Sequence, residues 1–397
     1  MLVPKLRFKR EDGTDYPEWK DCILSDYCEE IKASIDPKKY PNDSFLEYSM
    51  PAFDMGKIPN NVIGRDMNSN RKVVNYPCVL INKLNVRKKR IWKVLKPMSN
   101  SVCSAEFIPV KSDKMSIDFL ECLALSDRFT ARLLDCSTGT SNSQKRVTPN
   151  IIMDMSVSIC CLEEQQKIAD FLSTVDEVIT QSEAEVQNLE QQKKSAMQKI
   201  FSQELRFKRE DGSDYPEWEE ILLGKIGEVA MCKRILKEQT SDKGDVPFFK
   251  ISTFGRTPDA YITYQLFEEF KKTYRFPQKG AVLISAAGTV GKIVRYNGED
   301  AYYQDSNIVW LEHNDKVTDD FLYQFYQQVS WKGLEGSTIK RLYNKNLLET
   351  SISLPCFEEQ QKIADFLSAL DETISYARQE LDKWKELKKG LLQQMFV

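Results

Sequence analysis

Histidine is almost missing: His313 is the one imidazole in 397 residues. Catalytic triads and most acid–base chemistry near neutral pH therefore lack their usual side chain. The ten cysteines include no CxxC pair, and Cys160-Cys161 are adjacent. Scattered thiols and one histidine do not supply a tetrahedral zinc site, so no metal is expected and the thiols read as reduced and mostly buried. His313 lies in Glu312-His313-Asn314-Asp315, which reads as a polar turn. Apolar runs are short, Cys78-Val79-Leu80-Ile81 being typical, against the ~20 residues of a membrane helix. The opening Met1-Leu2-Val3-Pro4-Lys5-Leu6-Arg7 has no apolar signal core. A cytoplasmic protein with no membrane contact is the expectation. Sixteen Gly and fifteen Pro are ordinary usage and aromatics are plentiful, which excludes disorder and collagen-like order. Nucleotide-binding signatures are missing too. Ala286-Ala287-Gly288-Thr289-Val290-Gly291-Lys292-Ile293 lacks the first glycine and the final Ser/Thr of a phosphate loop, so it reads as a turn between strands. No GxGxxG occurs, nor an Asn/Asp-Pro-Pro-aromatic tetrapeptide.

What the sequence does have is an internal repeat. Leu6-Arg7-Phe8-Lys9-Arg10-Glu11-Asp12-Gly13-Thr14-Asp15-Tyr16-Pro17-Glu18-Trp19 returns as Leu205 to Trp218 with Thr14 replaced by Ser213, an offset of 199. Glu163-Glu164-Gln165-Gln166-Lys167-Ile168-Ala169-Asp170-Phe171-Leu172-Ser173 returns unchanged as Glu358 to Ser368, an offset of 195. Between these blocks, residues 20–144 and 219–339 share little identity beyond strand-like runs such as Val79-Leu80-Ile81 and Val282-Leu283-Ile284. Two like frames around unlike inserts imply one task performed twice on different targets; duplication followed by drift is the alternative.

The frames read as long helices. Ile168, Leu172, Val175, Ile179, Val186 and Leu189 in the first, and Ile363, Leu367, Leu370, Ile374, Leu381 and Trp384 in the second, follow a heptad seam. Ser182 and Lys193 fall in seam slots of the first, and the second shifts spacing to Leu387, Leu391 and Met395. Helices of about 39 residues, roughly 58 Å long, are expected to pair with each other, antiparallel; a hairpin inside each domain is the alternative. The resulting fold class is α+β: two globular domains separated by two long antiparallel coiled-coil helices, with pseudo-twofold internal repeat. Its segments are a linker at 1–19, a first domain at 20–160, a helix at 161–204, a second linker at 205–218, a second domain at 219–355, and a helix at 356–397.

The inserts combine short β-rich runs with helical patterns at Ser116 to Leu125 and Asp319 to Val329. The formal net charge is −3, yet ten Lys or Arg lie between Arg65 and Lys96 against one acid, Asp66. Such a cluster attracts a phosphate backbone through counterion release; a solvated charged face is the bland alternative. Both inserts end in small hydroxyl residues before a basic pair, Lys145-Arg146 and Lys340-Arg341. Backbone amides, hydroxyls, Lys and Arg bond phosphate oxygens, while Gln and Arg also read base edges. Candidate DNA-contacting residues in the first insert are Lys72, Lys83, Asn85, Arg87, Lys88, Lys89, Arg90, Ser143, Gln144, Lys145 and Arg146. In the second they are Lys250, Ser285, Thr289, Lys292, Thr338, Lys340 and Arg341.

The doubled Glu-Glu-Gln-Gln-Lys-Ile-Ala-Asp-Phe-Leu block, the Leu-Arg-Phe-Lys…Pro-Glu-Trp linkers and Gly139-Thr140-Ser141…Lys145-Arg146 resemble the specificity subunit of type I restriction-modification systems, over essentially the whole chain. The resemblance implies two target recognition domains, each reading one half of a bipartite site in double-stranded DNA, held apart by the helices. It implies two methyltransferase subunits docked on those helices and restriction/translocase subunits joining the complex. It also places S-adenosylmethionine, ATP and Mg²⁺ in the partners, leaving this chain without catalytic residues, cofactor or metal. Cys160-Cys161, where the second copy has Pro355-Cys356, departs from the family's pattern and leaves the turn there open. A coiled-coil scaffold that binds only proteins and an autonomous DNA-modifying enzyme are the alternatives.

Overall fold

The computed structural model describes residues 4–139, 144–331 and 341–396. The chain forms two compact units, Met1–Ala184 with Arg378–Val397, and Glu185–Ala377.

In the first unit the strand Lys20–Ile23 pairs antiparallel with Ser156–Ile159, bracketing the insert. Inside it, a four-stranded sheet runs in the order Glu29–Glu30, Phe107–Lys111, Cys78–Asn82, Ile91–Val94. A five-stranded sheet is built on Ser34–Ile35, Arg71–Val73, Ser101–Cys103, Ser44–Tyr48 and Asn60–Ile63. Cys78–Asn82 is buried at every position, as expected of a strand covered on both faces. The helix Ile117–Leu125 starts where Ser116 Oγ accepts from the Phe119 amide, an N-cap that satisfies one orphan donor.

The second unit follows the same plan. Glu219–Leu222 pairs with Ser351–Leu354. A four-stranded sheet has the order Gly227–Ala230, Ile308–His313, Val282–Ser285, Ile293–Arg295. Thr318 caps the helix Asp319–Gln328 as Ser116 caps its counterpart. The five-stranded sheet has no such counterpart: the second unit instead carries a three-stranded sheet of Tyr261–Ile262, Val246–Phe249 and Tyr302–Tyr303. His313 ends a strand and does not lie in a turn, because the register continues to Gly227.

The long helices run Leu162–Phe201 and Phe357–Met395. They pair antiparallel: Lys193 bonds Asp371 in the second unit, while Asp176 bonds Lys388 and Glu183 bonds Lys385 in the first. Each helix serves the units as core as well as seam. Ile168, Leu172 and Val175 pack with Trp19, Phe119 and Phe129, and Ile363 and Leu367 with Phe321 and Leu347. Ile179, Leu370 and Trp384 pack against those cores, and Val186, Ile374 and Leu381 are buried. Leu189 is half-buried. Near the C-terminus the seam passes through Lys388 and leaves Leu387 exposed, because the ammonium reaches Asp176 while its stem covers the seam.

The repeated frame has a packing explanation. Arg7 Nε and Nη2 donate to Glu164 Oε1 and Oε2 at 3.0 and 2.8 Å. Arg206 repeats this on Glu359 at 3.1 and 2.9 Å. Both carboxylates are fully buried. Gln165 bonds the Ser116 amide and the Cys160 carbonyl, and Gln360 bonds the Thr318 amide and the Pro355 carbonyl. The glutamine thus uses a main-chain carbonyl at 160 and 355, so Cys160 in place of proline leaves that contact intact. Asp12 and Asp211 accept from the hydroxyls of Thr14 and Ser213, so this one difference in the linker preserves the contact. Gly13 and Gly212 take φ of 83° and 84°, the left-handed turn that glycine adopts without penalty. The Leu205 amide bonds Lys199 O at 3.0 Å, and the Leu6 amide makes the matching bond to Gln394 O at 3.1 Å. In the first unit the C-terminal end of the chain therefore does what the adjoining helix does in the second.

Candidate nucleic-acid interface

Each unit joins the loop after the central strand of its four-stranded sheet to the segment carrying the basic pair. In the first unit Leu84 and Arg146 form a β-bridge, flanked by Asn85 N to Lys145 O at 2.8 Å and Val147 N to Lys83 O at 3.0 Å. In the second, Ala287 bridges Arg341, and Leu342 N donates to Ala286 O at 2.8 Å. The two inserts, unlike in sequence, thus present their basic segments on the same strand-loop platform.

The sequence-derived residues divide by what they touch. Arg87, Lys88 and Gln144 are exposed and Lys83 and Lys145 half-buried, none in an ion pair among the described residues. Three other cations of the cluster are engaged: Lys72 on Glu30 at 3.0 Å, Lys89 on Asp127 at 2.5 Å, and Arg90 on Asp54 at 2.6 Å. Arg71 and Lys93 are paired likewise, with Glu47 and with Asp118 and Glu121. The excess of positive charge read along residues 65–96 is thus reduced by acids distant in sequence. Asn85 holds a left-handed turn, φ 53°, which asparagine tolerates better than most residues.

In the second unit Thr289 is exposed on the loop, and Ser285 is buried beneath it, donating to Thr289 O and accepting from the Lys292 amide. Lys292 caps the carbonyls of Phe254 and Gly255, so its ammonium holds a loop. Lys250 pairs with Asp259 at 2.8 Å, and Arg341 donates to Ser306 O at 3.0 Å. Ser143, Thr338 and Lys340 lie outside the described residues.

Sequence reading missed Glu106, which bonds Arg146 at 3.0 Å, and the Arg234–Asp305 pair at 2.9 Å. No local signal marks them, because the partners stand 40 and 71 positions apart. No cluster of three or more His, Cys, Asp or Glu able to hold a metal occurs among the described residues. All ten cysteines are free, six of them buried. Among the described residues no helix is long and apolar enough to cross a membrane.

Two like frames, each carrying a mixed sheet-and-helix domain with a basic strand-loop platform, define an internally repeated two-domain architecture. The chain belongs to the type I restriction modification DNA specificity domain family, whose pattern matches residues 18–191 and again 215–385. It is 51% identical over 152 residues to a putative type I restriction enzyme specificity subunit of Haemophilus influenzae, a match covering 38% of this chain and 40% of that one. A putative specificity subunit of Methanocaldococcus jannaschii is 25% identical over 266 residues, covering 63% of this chain and 60% of that one. The matches thus span between two fifths and three fifths of these relatives. The fold is shared with the type I restriction-modification S subunit from M. genitalium, at a TM-score of 0.58 and 16% identity over 100% of this chain and 99% of that one. A chain solved in a study of type I assembly and conformational transition gives a TM-score of 0.62 at 22% identity, covering 96% and 97%.

Proposed function

We propose that this chain is the DNA sequence-recognition subunit of a type I restriction-modification complex, with each unit reading one half of a bipartite duplex site. The observation that carries this reading is the doubled platform, Leu84 with Arg146 and Ala287 with Arg341, set in a chain of the specificity family. Arg87, Lys88, Lys83, Gln144, Lys145, Thr289 and Arg341 supply phosphate and base contacts. Lys72, Asn85, Lys89, Arg90, Lys250, Ser285 and Lys292 hold the loops that present them. Ser143, Thr338 and Lys340 belong to the same two basic segments.

Catalysis, S-adenosylmethionine, ATP and Mg²⁺ belong in this reading to two methyltransferase subunits and to restriction/translocase subunits, and the complex works in the cytoplasm. The frame supports a doubled partner. Buried frame residues are explained by packing, yet exposed ones also recur: Arg10 lies over the buried Tyr16 ring as Arg209 lies over Tyr215, each ring also approached by a half-buried lysine, Lys167 and Lys362. One surface offered twice suits two copies of one protein.

The test is domain exchange. Replacing residues 219–355 with an unrelated counterpart, in cells that carry the modification subunits, is expected to rewrite one half of the methylated sequence and preserve the other. A change in both halves, or in neither, rejects modular reading.

A further inference from the structure

The segment just ahead of one strand in each four-stranded sheet holds exposed arginines. In the first unit Glu106 immediately precedes Phe107–Lys111, and its Oε1 accepts from Arg146 Nη2. In the second, Asp305 stands shortly before Ile308–His313, and its Oδ2 accepts from Arg234 Nε. The two segments correspond, since the Lys83 amide bonds Glu106 O and the Ala286 amide bonds Asn307 O.

Both pairs turn the cation outward. The Arg146 side chain is 49% exposed against 28% for Glu106, and Arg234 is 66% exposed against 17% for Asp305. The pairs of Lys89, Arg90 and Lys93 with Asp127, Asp54 and Asp118 are reversed, with the cation the more buried member, as suits a structural role. Arg146 is also the sole side-chain partner of Glu106 among the described residues, where Glu106 Oε2 has none. A carboxylate so placed fixes the guanidinium and serves no other contact.

Arginine has five N–H donors in a planar fork. Arg234 uses Nε on Asp305, leaving both terminal nitrogens without a partner among the described residues, and it lines a cleft of about 480 Å³ with Lys250, Gln304 and Asn307 and the acids Asp242 and Asp259. Guanine offers O6 and N7 side by side in the major groove, and arginine is the usual bidentate reader of that edge. Fixing the fork beforehand lowers the entropy lost on binding.

We infer that Arg146 and Arg234 are guanine-reading side chains, one in each half-site, and that Glu106 and Asp305 are positioning residues that aim them. This rests on the DNA-recognition reading and gives it specificity-determining residues. The test expresses the full chain with the modification subunits and maps methylated sequences genome-wide. The wild-type motif is expected to specify a G·C pair in each half. Arg146→Ala should lower discrimination at one G·C pair of one half by about 5- to 150-fold, and Arg234→Ala should do so in the other. Arg146→Lys keeps the charge and loses the fork, so it should relax the same pair. Glu106→Gln should weaken selection at that pair and no other, a change that general destabilisation does not produce. A wild-type motif lacking G·C in either half overturns the assignment, as does Arg146→Ala or Arg234→Ala with an unchanged motif or equal loss in both halves. Absence of sequence-dependent methylation with wild type would instead reject the recognition reading itself.

Discussion

Removing the charge of Glu359 tests whether the frame is held by its buried ion pair. The carboxylate is fully buried and takes three donors: Arg206 Nε at 3.1 Å, Arg206 Nη2 at 2.9 Å and Trp218 Nε1 at 2.9 Å. Glu359→Gln keeps the volume, removes the charge and turns one acceptor into a donor. Breaking a buried pair from one side costs about 3–5 kcal/mol, because the remaining ion stays desolvated. Arg206 is 22% exposed and retains the Tyr215 and Pro216 carbonyls, which places the loss near the lower end, about 3 kcal/mol. At about 2–4 °C per kcal/mol for a unit of this size, the transition of residues 185–377 should fall by about 6–12 °C. Amide hydrogen exchange on the intact chain reads the two units separately, so protection should drop in residues 185–377 and persist in the other unit. In a Trp218→Phe background, where no indole N–H is left without its acceptor, replacing both charged partners, Arg206→Met with Glu359→Leu, should restore much of the loss, since an apolar pair avoids the desolvation cost. A Glu359→Gln protein within about 1 kcal/mol of the parent, or a double replacement no better than Glu359→Gln in that background, would refute the reasoning.

The tryptophans of the two frames offer a matched comparison. Trp218 Nε1 bonds Glu359, whereas Trp19 Nε1 is buried without a partner among the described residues. Trp218→Phe should therefore destabilise its unit by about 1.5–3 kcal/mol more than Trp19→Phe does, measured by hydrogen exchange, and equal losses would contradict this. His313 places Nδ1 2.9 Å from Asn314 O and Nε2 3.1 Å from Asp319 Oδ1, two acceptors that only the imidazolium satisfies together. Burial lowers its pKa, but the Asp319 and Asn314 hydrogen bonds and the charges of Asp319 and Asp315 outweigh that, and the net shift is upward from 6.5. Its contribution to stability is then full below about pH 6.5 and lost as pH rises through the raised folded value. Asp319→Asn should flatten that slope in unfolding experiments, and a slope of opposite sign would exclude the pairing. Burial pushes the Cys28 and Cys78 thiols up to about 12 and Cys22 to about 11, while Cys136 is exposed. Mass spectrometry after alkylation at pH 8 should find Cys136 modified well before these three, and rapid labelling of Cys28 or Cys78 would show that the first core is open.

The sequence alone determined what short-range patterns encode. The repeat and the seam located the helices Leu162–Phe201 and Phe357–Met395, and short helical patterns located Ile117–Leu125 and Asp319–Gln328. Apolar runs located the central strands Cys78–Asn82 and Val282–Ser285. These elements arise from periodicity within a few turns of chain, so a local window suffices to find them. Tertiary structure alone decided which charges are neutralised. Lys72 meets Glu30 across 42 positions, Arg90 meets Asp54 across 36, and Arg7 meets Glu164 across 157. It likewise turned the seam through Lys388 and set Arg146 on Glu106. An ion pair depends on distance and burial after folding, and spacing along the chain encodes neither, which is why the basic stretch was visible in the sequence and its free cations were not.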